Sequence, residues 1–172
     1  CQELAADVLI ASDGPRFTRD HPTVVLGSRG VMSFDLIVSL RDQPLHSGNW
    51  GGALSNPAII LSHAIATIVS RNGTIQVRAL VPQEVPSAAR DLIKSLDVPL
   101  PVEQDDTEWG EPGLTVAEKL FLWNSFDVLA FDVGDPINPV NAIPHRARAR
   151  CQIRFTVDSE PNFLSALRHF LD

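Results

Sequence analysis

Between Ala147 and Val157 the chain alternates without a break, with Ala147, Ala149, Cys151, Ile153, Phe155 and Val157 set against Arg148, Arg150, Gln152, Arg154 and Thr156. A period of two is the mark of a strand that puts one face into a core and keeps the other outside it. The outer face carries three arginines, and guanidinium groups cannot be buried unpaired without a large desolvation cost. Whatever sheet this strand joins must therefore leave one side open to solvent, a substrate or a partner.

The rest of the sequence supplies neighbours for such a strand. From Val31 to Leu40 the even positions are Met32, Phe34, Leu36, Val38 and Leu40, while Ser33, Asp35 and Ser39 fall on odd ones, which predicts a second half-buried strand. Asn56-Pro57 has the form of an N-cap and first-turn proline, and Ile60, Leu61, Ala64, Ile65, Ile68 and Val69 follow at helical spacing. That helix is expected to stop near Asn72-Gly73 through a left-handed residue. Residues 74–124 change texture: Pro82, Pro86, Pro99, Pro101 and Pro112 interrupt the pattern, and Glu103, Asp105, Asp106, Glu108 and Glu111 gather in it. We read this stretch as an insertion with one short helix after Ser87 and another from Val116, where Thr115 and Glu118 have capping-box spacing. Phe126–Val133 reads as a further strand, and Ser159 opens a last helix through Phe163, Leu164, Leu167, Phe170 and Leu171.

Strand, helix, insertion, strand, strand, helix is the order of an α+β, ferredoxin-like βαββαβ unit that lacks its last strand. Both helices would lie on one face of an antiparallel sheet. Residues 31–172 are assigned to this domain, with the insertion at 74–124. Residues 1–30, containing the apolar run Ala5–Ala11 and the loop Ser12–Arg16, form a separate strand-plus-linker fragment. The strand around Val8–Ala11 is one candidate for the missing place in the sheet.

Charge and cysteine usage narrow the function. A formal net charge of −7 leaves no broad basic footprint for nucleic acid or anionic membrane. No apolar run is long enough to span a bilayer. Two cysteines, Cys1 and Cys151, do not make a disulfide framework, so a reducing cytoplasm is the expected compartment. Cys151 falls on the apolar side of its strand and reads as a core residue. None of His21, His46, His63, His145 and His169 is spaced with another for one metal on a single element, and no Gly-x-Ser-x-Gly elbow or phosphate loop occurs. The acidic cluster, without His or Cys beside it, reads as a solvated loop.

The densest unusual segment is Leu45-His46-Ser47-Gly48-Asn49-Trp50-Gly51-Gly52, a glycine-rich passage from strand to helix. Together with Ala6-Asp7-Val8-Leu9-Ile10-Ala11-Ser12-Asp13-Gly14, Leu26-Gly27-Ser28-Arg29-Gly30, Trp109-Gly110-Glu111-Pro112-Gly113-Leu114-Thr115 and Asn141-Ala142-Ile143-Pro144 followed by Ile153-Arg154, it resembles the di-zinc metallopeptidase family of carnosinase-type dipeptidases, carboxypeptidase G and aminoacylases. These motifs run in the family's order over nearly the whole chain. They cover its lid, or dimerisation, domain and one strand of the zinc domain before it.

The resemblance implies a homodimer acting on small peptides or N-acyl amino acids with two zinc ions in the intact enzyme, and no cofactor in this part alone. By the same resemblance His46 matches the lid histidine that reaches into the other subunit's site and stabilises the oxyanion. Asn141 matches a substrate-contacting position, Arg154 the arginine that pairs with the substrate's terminal carboxylate, and Asp13 an acidic zinc ligand. The resemblance gives Arg148 and Arg150 no role, and the expectation for both is a solvated strand face. Trp50, Trp109 and Trp123 read as packing residues, with the dimer seam as another place for Trp50. The length of the 74–124 insertion points to the carnosinase-like branch. The alternative function is a free-standing ferredoxin-like module that binds a small anion or amino acid on its arginine face.

Overall fold

The structure, a computed structural model, describes residues 7–8, 27–98, 100, 108–156 and 162–171. The alternating segment forms β5 (Arg146–Phe155), the middle strand of a three-stranded antiparallel sheet. It pairs on one side with β1 (Gly30–Ser39) and on the other with β3 (Ser125–Asp132), giving the order β1-β5-β3. The register sets Met32 opposite Ile153, Phe34 opposite Cys151 and Leu36 opposite Ala149, so the apolar series of the two long strands share one face. On that face Ala147, Ala149, Cys151 and Ile153 are buried, as the period-two pattern requires.

A second, two-stranded sheet pairs β2 (Leu45–His46) with β4 (Ala142–Ile143). Among the described residues, between β2 and β3 run α1 (Ser47–Trp50), α2 (Pro57–Ile68), a 3-10 turn at Arg78–Leu80, α3 (Ser87–Ile93) and α4 (Val116–Phe121); α5 (Phe163–Leu171) follows β5. Helix α2 packs over β1 and β5. Its Leu61 and Ile68 join Phe163 and Leu167 of α5 in the same core as Phe34, Cys151 and Ile153. The result is a mixed α+β fold with helices against one face of an antiparallel sheet. Among the described residues the main sheet has three strands. Ser159, Val157 and most of residues 1–30, including Asp13 and all of the apolar run except Asp7 and Val8, lie outside the described residues.

Helix α2 begins as its sequence predicts, with Asn56 Oδ1 accepting the Ala58 N–H at 2.9 Å and Pro57 at the first position. It ends earlier than expected, at Ile68. Val69 is extended (φ −135°, ψ 135°) and bridges Ile75 across a tight turn. The β-branched pair fits a strand better than another helical turn, and Gly73, with φ +80°, closes the turn instead of the helix. A Cβ there would sit 2.6 Å from the Trp109 indole, so glycine also admits that ring. Gly110 N–H donates to Asn72 O and Thr74 Oγ1 donates to Gly110 O, which fastens the Trp109-Gly110 motif onto the turn.

The stretch expected as an insertion begins inside the core. Ile75, Val77, Leu80 and Val81 are buried, and Asn124 Nδ2 donates to Leu80 O at 2.8 Å while its Oδ1 accepts the Thr156 N–H at 2.9 Å. Farther along, α3 and α4 form a small outlying pair. The expected capping box is present, with Glu118 N–H donating to Thr115 Oγ1 and Thr115 N–H to Glu118 Oε2, and Arg90 Nε pairs with Glu118 Oε1 at 2.7 Å.

Among the described residues, apolar side chains stay exposed on α2 and on β3 as well as elsewhere. On α2, Ile59 and Ile60 are exposed, although helical spacing had placed Ile60 among the core residues. On β3, a bulge between Val128 and Ala130 shifts the register, and Val128, Leu129 and Phe131 are exposed. Val128 and Phe131 pair with the buried Cys151 and Ala149 and so face the helical side. They remain open because α2 lies over the other two strands.

Candidate functional site

The glycine-rich passage folds back on the segment before β5. Leu45 pairs with Ile143 and His46 with Ala142, and Ser47 N–H donates to Asn141 O at 2.9 Å. The sequence thus brings His46 and Asn141, nearly a hundred residues apart, to one corner of the molecule. Arg41 braces that corner by donating to Pro144 O at 2.7 Å and to Ser55 O at 2.6 Å. Leu40 N–H adds a bond to His145 O at 3.0 Å.

His46 caps α1. Its Nδ1 accepts the Gly48 N–H at 3.1 Å, so the neutral ring carries its proton on Nε2. The side chain is exposed, and the arrangement presents one N–H donor outward on a braced loop. Glycine at 48 is needed for that pose: a Cβ would lie 2.9 Å from His46 Cε1 and 3.1 Å from Nδ1. Gly51 has a similar reason, since its Cβ would meet Ser47 O at 2.6 Å. Beside this corner a groove of about 330 Å³ is lined by Pro44, Val133, Pro136, Val140, His145 and Arg146.

Arg154 stands elsewhere. It lies eight positions beyond Arg146 on β5, a span of roughly 26 Å at about 3.3 Å per residue. Its Nε donates to Gln152 Oε1 at 3.0 Å, and Gln152 Nε2 donates to Ser33 Oγ at 3.1 Å. Arg29, just ahead of β1, is within electrostatic reach: burial first, and then the positive charge of Arg154, lower its guanidinium pKa, while Asp127 works in the other direction. The middle of the open face is neutralised. Asp35, opposite Arg150, accepts from Arg148 at 2.9 Å and from Arg150 at 3.3 Å. Desolvation pushes the Asp35 carboxyl up, but the hydrogen bonds and charges of the two arginines outweigh it and hold the group below the usual carboxylate range.

Of the four expected site residues, the structure joins His46 with Asn141, sets Arg154 at the opposite end of β5, and leaves Asp13 outside the described residues. Gln152, Ser33 and Arg41 were not anticipated as contributors to a site. Gln152 had one visible signal, the break it makes in the arginine series on its face. Asp35 could have been found by sliding β1 against β5 until its odd positions faced the arginines. Cys151 is a free buried thiol, with desolvation and then the charge of Asp35 pushing its pKa up to about 11. Of the tryptophans, Trp50 and Trp109 are exposed and Trp123 packs against the core.

Among the described residues no group of three or more His, Cys, Asp or Glu could hold a metal ion. The zinc pair implied by the sequence resemblance therefore has no ligand set in the described part of this chain. No helix among these residues is long and apolar enough to cross a membrane.

The model of the peptidase dimerisation domain matches residues 26–169. Among curated proteins, the Beta-Ala-His dipeptidase of Mus musculus is 29% identical over 98 residues, 56% of this chain and 20% of that protein. The Cys-Gly metallodipeptidase of Schizosaccharomyces pombe is 32% identical over 78 residues, 45% of this chain and 16% of that protein. The chain thus spans about a fifth or less of the length of these relatives. Among solved structures, a metallo-carboxypeptidase of Sulfolobus solfataricus superposes with a TM-score of 0.72 at 23% identity, over 92% of this chain and 44% of that one. Human carnosine dipeptidase 1 gives 0.66 at 22% identity, over 84% of this chain and 33% of that one. Both share the fold.

Proposed function

The chain belongs to the peptidase dimerisation domain family, and from that premise we propose that it is the dimerisation and active-site lid domain of a dipeptidase-like metallohydrolase. The parent enzyme would be a homodimer, located in the cytoplasm, that cleaves small peptides or N-acyl amino acids. Its two zinc ions, with Asp13 among their ligands, would be held largely by residues outside the described part of the chain. In this reading His46 donates Nε2–H to the oxygen that becomes negative as the scissile carbonyl is attacked, Asn141 contacts the substrate beside it, and Arg154 pairs with the terminal carboxylate. A preorganised donor of that kind is typically worth about 10²- to 10³-fold in rate.

The separation along β5 carries the proposal. A dipeptide spans at most roughly 7 Å, far less than the distance between the His46 corner and Arg154. One small substrate cannot meet both ends of the same copy, but it can meet His46 and Asn141 of one copy and Arg154 of another. Each site would then be completed across the dimer. The uncovered apolar strip on β3, with Ile59 and Ile60 of α2, supports a second copy as the surface's occupant. A free-standing anion-binding module, the other expectation from sequence, draws no support from relatives whose names are those of dipeptidases.

Mixed dimers test the reading. In the full-length enzyme His46→Ala and Arg154→Ala should each be nearly inactive alone. When they are denatured and refolded together, half the dimers are mixed, and one of the two sites in each holds both wild-type residues. About a quarter of wild-type activity should return, as random pairing dictates. No recovery from a mixture that has exchanged subunits would mean that both residues serve one site from one copy.

A further inference from the structure

We propose that Gln152 is a positioning residue for Arg154, holding its guanidinium with both terminal amino groups turned outward as a fork for a carboxylate. The inference rests on the reading of Arg154 given above.

A guanidinium has two planar edges with which to grip a carboxylate, one formed by Nε and a terminal nitrogen, the other by the two terminal nitrogens. In this structure Nε is already engaged, its hydrogen donated to Gln152 Oε1 at 3.0 Å. That leaves the end-on edge for a ligand. The amide is itself fixed, because Gln152 Nε2 donates to Ser33 Oγ at 3.1 Å and so must keep its oxygen towards Arg154. Strand geometry builds the relay. Ser33 is opposite Gln152 in the β1–β5 register, and Gln152 and Arg154, two apart on β5, project from the same face.

The residue type matters as much as the place. Every other even position from 146 to 154 is arginine. A fifth arginine at 152 would repel Arg154 and offer no acceptor, while a carboxylate would accept from Nε but cancel the charge a substrate needs. A neutral amide accepts the bond and leaves the full positive charge facing outward. Arg29 adds a second positive charge nearby, so the site favours an anion even with Asp127 present.

The test is steady-state kinetics of the full-length enzyme on a dipeptide with a free C-terminal carboxylate and on the same dipeptide amidated. Gln152→Leu should raise KM for the free acid about 10-fold, the size expected at the low end for losing one hydrogen bond to a charged group, with kcat within twofold and the amide unaffected. Ser33→Ala, which only loosens the amide, should move KM in the same direction by about threefold. Arg154→Met must abolish the preference for the free acid; if it does not, the underlying assignment of Arg154 fails. If Arg154→Met behaves as stated while Gln152→Leu and Ser33→Ala both leave the free-acid KM within twofold, the positioning role alone is wrong. Should Gln152→Leu not fold, Ser33→Ala decides by itself.

Discussion

Gly48→Ala should separate function from folding in this domain. The new methyl group would lie 2.9 Å from His46 Cε1 and 3.1 Å from Nδ1, both short of ordinary van der Waals contact. Only the imidazole can give way, since it is the exposed end of a side chain. Moving it by half an ångström or more requires a turn of roughly 30° about its side-chain torsions, about 0.5 to 1.5 kcal/mol. It also sacrifices the 3.1 Å bond from Gly48 N–H, worth about 0.5 to 1.5 kcal/mol net. The alanine repays part of this, because Gly48 has helical backbone in α1, where alanine is favoured by up to about 1 kcal/mol. With the full offset the net loss of stability should be about 0 to 2 kcal/mol, a Tm drop of no more than roughly 4 to 8 °C. On the role proposed for His46, catalysis has no such compensation, and a donor misplaced by about 1 Å costs on the order of 100-fold. In the full-length enzyme kcat should therefore fall 10- to 100-fold with KM little changed. The variant should also have no further effect in a His46→Ala background, because both act through one imidazole. A kcat within twofold of wild type, or additive losses in the double variant, would refute this account of why glycine stands at 48.

Three further outcomes are expected. Leu129→Asp with Phe131→Asp places charges on the exposed β3 strip, and light scattering should show the full-length protein shifting from the proposed dimer to folded monomer; an unchanged dimer would remove that strip from the interface. Asp35, Glu118 and Asp135 are all held below their usual carboxyl range, so the stability they add is complete above roughly pH 4.5 and lost as pH falls through their lower folded values. Urea midpoints should accordingly drop on the acid side, and Asp35→Asn should flatten that limb; an unaltered slope would contradict the role given to the arginine pair. Cys151 is fully buried with its thiol raised to about 11, so a thiol reagent at pH 8 should label it only after denaturant is added.

Much of this molecule follows from patterns in neighbouring residues. Alternation along residues 147–157 gives both the strand and its buried side, and Asn56-Pro57 and Thr115 with Glu118 mark helix starts that the hydrogen bonds bear out. Where the sequence misleads, contacts between distant segments have intervened. The end of α2 is set by Ile75 across the turn and by an indole from residue 109, neither of which helical periodicity can register. Ile60 has the spacing of a core residue, but lies at the flank of a helix whose inner stripe is taken by Leu61 and Ile68. The site divides the same way. His46 and its glycines stand together in the chain and are legible as a motif. The Gln152–Ser33 relay exists only after β1 and β5 find their register.

That register has a consequence for how the chain is made. β1 has no partner next to it in sequence: Ser39 pairs with Arg146 and Gly30 with Phe155, so more than a hundred residues must be added before the first rung can close. At about 5 to 20 residues per second, the ribosome leaves β1 waiting roughly 5 to 20 s with its alternating apolar face unpaired. Loop closure across such a distance grows dearer only slowly, by about 0.6 kcal/mol per doubling of length. The α3–α4 stretch can thus vary in length between homologues at little thermodynamic cost, while the wait imposed on β1 lengthens in direct proportion.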